Sequence, residues 1–273
     1  MPELPEAETI GRALDLALRG RVITQVEVFS PAMRTPLLPL LDAALEGLRF
    51  TCVRRRGRYL MADLSDKRTL LMHFGMSGVV RVEGKDVPKR KHEHVFIHLD
   101  DGKIFRFECT RRFSLLEVHT LCENGLPAPL AKLGMEPLSS EFTGKKFFEC
   151  CSKRSAPVKL LLMDNAIVTG IGNIYAAETL FAAGVDPRKT GRELSLKEAE
   201  SIAANAKRIL LEAVESGGTT ISDFRHVDGS EGKFAQNLKI YGKAGEPCSI
   251  CSEIVETLRQ GGRSTFYCPR CQK

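Results

Sequence analysis

The segment CSICSEIVETLRQGGRSTFYCPRC places Cys248, Cys251, Cys268 and Cys271 as C-x2-C-x16-C-x2-C. Each C-x2-C pair can present two sulfurs to one point from a single tight turn, and two such pairs complete a tetrahedron around zinc. The chain between the pairs must therefore leave one turn and come back to the other. It alternates in EIVETL and STFY on either side of Gly261-Gly262, which predicts a β-hairpin. Four protein ligands leave no open coordination position, so the zinc would be structural. Two disulfides, or free thiols, are the other use these sulfurs could have. Arg263 follows the hairpin glycines directly, at a tip that could reach a phosphate.

The other five cysteines, Cys52, Cys109, Cys122, Cys150 and Cys151, are scattered and read as reduced thiols of an intracellular protein. The 273 residues suffice for two domains with a core each. No run of 18 apolar residues is present, and the acidic N-terminus lacks an apolar signal-peptide region. A soluble protein with no membrane partner is expected. Net charge is +6, and the bases cluster in RRRGR (Arg54, Arg55, Arg56, Arg58), KRK (Lys89, Arg90, Lys91) and TRRF (Arg111, Arg112). Any one cluster alone reads as a solvated face. Several in one half, interleaved with strands, suggest a basic groove for nucleic acid.

The chain opens MPELPEAET. A proline in the first turn with Glu3 and Glu6 beside it favours a helix start, and residues 1–19 carry Ile10, Leu14 and Leu18 at helical spacing before Gly20. The stretch also has a chemical reading. Removal of Met1 would give Pro2 a free secondary amine, and an α-amino group titrates near pH 8, about two units below lysine. Much of it is then an uncharged nucleophile at neutral pH.

Residues 22–118 read as strands, with DDGK as a hairpin turn, and predict a β-sandwich or barrel-like domain. From about residue 130 the pattern is helical: APVKLLLMD, NIYAAETLFAAG, and a longer run after the capping box SLKE (Ser195–Glu198), ended by Gly217-Gly218. The turn with Gly170 and Gly172 enters a helix directly, which suits an anion such as a DNA phosphate; an ordinary helix–turn–helix packing unit would read the same way. The Gly217–Gln236 stretch is a loop of a length that is uncommon unless functional or disordered.

Taken in order, MPELPEAE, HFGMSG (His73–Gly78), KHEHV (Lys91–Val95), RRF (Arg111–Phe113), LMDN…GIGNIYAAE (Leu162–Glu178), GGTT and the four-cysteine tail resemble formamidopyrimidine-DNA glycosylase, a bacterial base-excision family for oxidised purines. The resemblance spans essentially the whole chain. It implies an α+β fold: an N-terminal helix plus β-sandwich domain (1–130), a helical helix-two-turn-helix DNA-binding domain (131–237) and a C-terminal zinc finger (238–273). It implies a monomer acting on double-stranded DNA with damaged bases, in the cytoplasm, with one structural zinc and no need of a redox cofactor or catalytic metal.

The resemblance also assigns roles. The Pro2 nitrogen would attack C1′ of the damaged nucleotide and form a Schiff base. Glu3 would handle protons beside it. Arg58 and Arg263 match other catalytic positions, and β- and then δ-elimination would cut the strand. Met76, Arg111 and Phe113 match a wedge that fills the space of an extruded base, with ordinary strand core as the other reading of Met76 and Phe113. His73, His92, Arg154, Asn173 and Arg263 match positions that grip the DNA backbone, with a satisfied core histidine as the other reading of His73. Glu6 is divided between chemistry and a structural role at the helix start.

Three departures bear on substrate preference. The family usually has Lys where this chain has Arg58, and Arg keeps the charge without readily giving up a proton. Cys109-Thr110 replaces a common Asp-Pro. Ser222 stands where some relatives place Lys. An endonuclease VIII-like enzyme for oxidised pyrimidines is one alternative, opposed by the long loop and the Met76, Arg111, Phe113 set. A catalytically silent DNA-binding protein is the other, opposed by Pro2 and Glu3.

Overall fold

The apolar spacing near the N-terminus builds α1 (Leu4–Leu18), which buries Leu4, Ala7, Ile10, Leu14 and Leu18 along one face. Glu3 precedes it in an extended conformation, and Gly20 ends the turn behind it with φ +81°. The computed structural model describes residues 2–30, 41–219 and 232–273. These form two compact units. One takes in the described residues of Met1–Ala131 and Gly217–Lys233, the other those of Lys132–Ser216 and Phe234–Lys273.

In the first unit α1 leads into β1 (Ile23–Val28), α2 (Leu41–Leu45), β2 (Phe50–Arg56), β3 (Tyr59–Leu64), β4 (Arg68–His73), β5 (Gly78–Gly84), β6 (Glu93–Leu99), β7 (Lys103–Cys109) and β8 (Leu115–Thr120). Two antiparallel four-stranded sheets result, in the orders β1-β6-β7-β5 and β2-β3-β4-β8. One apolar core joins them, including Leu60, Ala62, Leu70 and Met72 from one sheet and Val95, Ile97, Phe105 and Phe107 from the other. This is the β-sandwich the strand pattern predicts; the short α2 was not legible in it. The DDGK turn joins β6 to β7, with His98 opposite Ile104. Between β2 and β3 the turn is two residues long, Gly57 with φ +58° and then Arg58.

Polar ties fix α1 to this sheet. Arg55 Nε donates to Glu8 at 2.7 Å, and the Val53 N–H donates to Asp15 at 2.7 Å.

The second unit is helical: α3 (Gly144–Cys151), α4 (Val158–Leu162), α5 (Asn173–Ala183) and α6 (Leu196–Glu215), then the hairpin β9 (Glu256–Gln260) and β10 (Arg263–Tyr267). The capping box forms: the Ser195 N–H donates to Glu198 at 2.8 Å, and Ser195 Oγ accepts the Glu198 N–H at 3.2 Å. α3 escaped the sequence reading. It starts at an N-cap Thr143 and lies so close to α6 that a Cβ on Gly144 would stand 2.3 Å from the Glu200 Cα. Ala177 and Phe181 of α5 share a small core with Ile240, Val255, Cys248 and Cys268, which seats the cysteine hairpin on that helix.

The tie between α1 and β2 carries a pH signature. Burial, the largest single influence on Glu8, raises its pKa, but Arg55 and Arg12 together outweigh it and hold the carboxyl below its ordinary 4.5. A carboxyl depressed in the folded state adds stability above its unfolded pKa and loses it as pH falls through the folded one. The tie should therefore be at full strength at neutral pH and fade as pH drops below 4.5. Glu8→Gln should lower the urea midpoint at neutral pH and flatten its decline in acid. Equal shifts at both ends of the pH range would contradict this.

Candidate active site

The chain start is packed rather than frayed. Pro2 is buried, Glu3 is 5% exposed and Glu6 3%. Glu6 Oε2 accepts the Glu3 N–H at 2.8 Å, and Oε1 accepts the N–H of Thr219 at 2.7 Å. The pyrrolidine ring of Pro2 is thus held in buried backbone at the head of α1, next in sequence to the buried carboxylate Glu3. Met1 lies outside the described residues.

Arg58 is buried in the β2–β3 turn. His73 closes β4 half-buried, its ring 4.8 Å from that of Tyr59. His73 Nδ1 accepts the Gly75 N–H at 3.2 Å, which puts the proton of the neutral ring on Nε2.

Met76 and Phe113 are 49% and 55% exposed, so neither is strand core. Arg111, also exposed, brings its Nη1 within 3.9 Å of Met76 Sδ, and its N–H donates to Ser77 Oγ at 3.0 Å. Two turns therefore meet and carry the three side chains outward together. Glycine makes the approach possible: a Cβ on Gly75 would stand 2.6 Å from the Phe113 carbonyl oxygen, and one on Gly78 2.5 Å from that of Phe74. Arg112 between the two outer residues takes φ +55°, which is uncommon for a side chain of its size. Beneath them Ser114 Oγ donates to the Phe74 carbonyl at 2.8 Å and lies 3.0 Å from Cys109 Sγ. Cys109 is fully buried, and its N–H donates to the His92 carbonyl at 2.9 Å. The Cys109-Thr110 departure thus splits into a buried thiol under the turn and an exposed threonine. Ser222 lies outside the described residues.

In the second unit Asn173 opens α5, and its Nδ2 donates to the Ser264 carbonyl at 3.0 Å. Its Oδ1 is buried with no hydrogen-bond partner among the described residues. Asn173 is thus tied to the residue that follows Arg263 at the hairpin tip. Gly261 and Gly262 make the tip with φ +55° and +76°, the two-residue turn that suits antiparallel strands. Arg263 is exposed beside them. Arg154 stands exposed on the α3–α4 connection, its Nε on the Cys150 carbonyl at 3.1 Å and its Nη1 3.5 Å from Asp164.

The sequence reading missed Lys159. It sits in the apolar run VKLLL of α4 and is fully buried. Its Nζ donates to Thr265 Oγ1 at 2.7 Å and to the Ser264 carbonyl at 3.0 Å. Thr265 passes its own proton to Gln260, whose amide holds the Pro187 carbonyl. A lysine inside an apolar helical run was the available signal, because a buried ammonium needs partners. Thr219, the backbone partner of Glu6, was equally hidden in the GGTT motif.

The four hairpin cysteines bring their sulfurs within 4.8 Å of one another. Zinc–sulfur bonds of about 2.3 Å imply sulfur–sulfur edges of about 3.8 Å in a tetrahedron. Cys248–Cys271 at 3.9 Å and Cys251–Cys268 at 3.5 Å match that edge, and all four are free thiols. Burial pushes the Cys248 thiol up, but backbone N–H groups of Ile250 and Cys251 bring it down to about 7. Burial and the neighbouring thiols push Cys271 up to about 12. A dication would hold all four as thiolates. The donor set fits one structural zinc.

Metal analysis should return about one zinc per chain. Cys248→Ser should weaken DNA binding while leaving reaction at the N-terminus intact; full activity and an ordered tail without metal would contradict it. Lys159→Met keeps the stem and removes the donors. It should cost about 1–3 kcal/mol of stability and loosen the hairpin tip, weakening DNA binding roughly tenfold at fixed salt with zinc content unchanged. Unaltered binding would mean that the tip holds itself.

Family models match in chain order: the formamidopyrimidine-DNA glycosylase N-terminal domain over residues 1–116, the H2TH domain of the same enzyme over 133–225, and the zinc finger found in FPG and IleRS over 245–273. Proteins named formamidopyrimidine-DNA glycosylase from Alcanivorax borkumensis and Laribacter hongkongensis are 43% and 42% identical, with both chains covered in full. Among solved structures, a Lactococcus lactis FPG mutant in complex with a Fapy-dG containing DNA superposes with TM-score 0.89 at 31% identity over the whole of both chains. The MutM (FPG) protein from Thermus thermophilus gives TM-score 0.87 at 36% identity, over 99% of this chain and 98% of that one. With three family models in the expected order and relatives matching end to end, the chain belongs to the formamidopyrimidine-DNA glycosylase family.

Proposed function

We propose that this protein is a base-excision repair enzyme that removes oxidised purines from duplex DNA and cuts the strand at the resulting site. The observation that carries the reading is the buried N-terminus, where Pro2 and Glu3 are fixed at the head of α1. The names of the full-length relatives and the Fapy-dG DNA of a solved neighbour support the substrate class.

In this reading the uncharged Pro2 nitrogen adds to C1′, the C1′–N bond to the base breaks, and the base leaves with a proton. The Pro2 nitrogen gives up its proton, the C1′–O4′ bond breaks as O4′ is protonated, and the ring-opened iminium so formed acidifies the C2′ hydrogen. Loss of that hydrogen expels the 3′ phosphate, and a second elimination expels the 5′ phosphate. Glu3 moves protons at the sugar and base, and Arg263 meets a phosphate from the hairpin tip. Met76, Arg111 and Phe113 fill the gap left by the extruded nucleotide. His73, His92, Arg154 and Asn173 hold the backbone. The working parts are three, residues 1–130, 131–237 and 238–273, and the enzyme acts as a monomer in the cytoplasm. Among the described residues no helix is long and apolar enough to cross a membrane.

Arg58 sets the expected preference. A guanidinium binds phosphate as well as an ammonium but stays protonated. Proton delivery and fit around an intact purine ring should suffer more than release of a flexible, ring-opened base. The wild type should favour ring-opened purines over 8-oxoguanine, and Arg58→Lys should raise 8-oxoguanine excision by roughly tenfold, about 1.4 kcal/mol of barrier. Single-turnover rates on both lesions check this; unchanged relative rates would remove Arg58 from the explanation. Borohydride trapping tests the nucleophile itself. Processed protein should form a covalent adduct, and protein with Met1 retained or an N-terminal tag should not. A tagged protein that trapped DNA equally well would exclude Pro2.

A further inference from the structure

We propose that Glu6 is a positioning residue for the Pro2 amine, joining the N-terminus to the Gly218–Thr219 backbone through one buried carboxylate; this rests on Pro2 being the nucleophile. Two bonds of the Glu6 carboxylate bear on this, and a helix cap needs only one of them. Oε2 accepts the Glu3 N–H at 2.8 Å, which completes the start of α1. Oε1 reaches across 213 positions of sequence to the Thr219 N–H at 2.7 Å. Each oxygen accepts a backbone N–H, so the side chain joins two stretches of backbone as a clamp does.

The surroundings are built for that second bond. Gly218 takes φ +81°, and a Cβ there would stand 3.0 Å from Glu6 Cγ and from Oε1. Thr219 is 4% exposed and bridges to Lys233 in antiparallel fashion. Gly232 lies so close behind that a Cβ on it would stand 2.4 Å from the Gly218 carbonyl oxygen and 2.6 Å from that of Gly217. Bare backbone is thus stacked on bare backbone against the head of α1. A carboxylate in the first turn sets the distance between them. The aim of the amine at C1′ then depends on where residues 218 and 219 are held.

The test uses Glu6→Gln and Gly218→Ala beside the wild type. A glutamine has one amide oxygen, so its NH2 must face one of the two N–H groups. Alanine at 218 leaves the carboxylate in place and pushes on it. Trapping is measured in single turnover on a duplex with a preformed abasic site, at saturating enzyme, over about pH 6 to 9. Both variants should lose roughly 30-fold in trapping rate, about 2 kcal/mol, with the shape of the pH profile kept. Affinity for the duplex should stay within about threefold. Amide exchange at Thr219 should accelerate in both. Should Glu6→Gln fail to fold, Gly218→Ala decides alone. Wild-type trapping rates in folded variants would overturn the clamp. Loss of one limb of the pH profile in Glu6→Gln would make Glu6 a proton-transfer group and overturn it too. A wild type that forms no adduct would refute the Pro2 reading, and the positioning role with it, so the control arm separates the two failures.

Discussion

A terminal amine can serve as a nucleophile only where the end of the chain is held still, and ends of chains ordinarily fray. The role proposed for Pro2 imposes that constraint, and the packing of the first unit meets it. Leu4, Ala7 and Ile10 seat the first turns of α1 on the core, and the ties of Glu8 to Arg55 and of Asp15 to the Val53 N–H keep the helix from turning on its axis over the sheet. The ties lie about two turns apart, so burial alone does not have to set the rotation. A helix start packed this way converts the least ordered position of a chain into one of its fixed points.

The second unit solves a similar problem with different chemistry. A two-stranded hairpin is marginal alone, and this one is held at both ends. The four cysteines close its base, and Lys159 and Asn173 both donate to the Ser264 carbonyl near its tip. The exposed Arg263 therefore projects from a turn whose neighbours are fixed from below. Among the contacts of the buried ammonium are a backbone carbonyl and a threonine hydroxyl, both on β10.

What the sequence disclosed and what it hid divide along physical lines. Cysteine spacing, the SLKE box and the Gly261-Gly262 turn are local: each depends on residues a few positions apart, and each appeared as read. The sandwich followed from strand count and alternation. α2 and α3 were hidden because five and eight residues are too few to display a helical period. APVKLLLMD shrank to a helix of five residues for the same reason. The deeper losses were side chains whose meaning lies in a partner far along the chain. Lys159 needs Thr265, Glu6 needs Thr219, and Ser114 needs Phe74. Nothing in the spacing of one residue names its distant acceptor. Motif order named the candidate positions, and geometry shows how they are held.

The meeting of the two turns that carry Met76, Arg111 and Phe113 has a consequence for how such a site can change. Its base is made of glycines without room for a methyl group, a serine hydroxyl and a buried thiol, all closely fitted. Its outer side chains touch little of the core and contribute little to holding it together. Mutational tolerance is thereby divided: Gly75, Gly78 and Ser114 are confined by the fold, while positions 76 and 113 can sample other shapes at small structural cost. A lineage could change the outer side chains of this surface without first finding a compensating change beneath it.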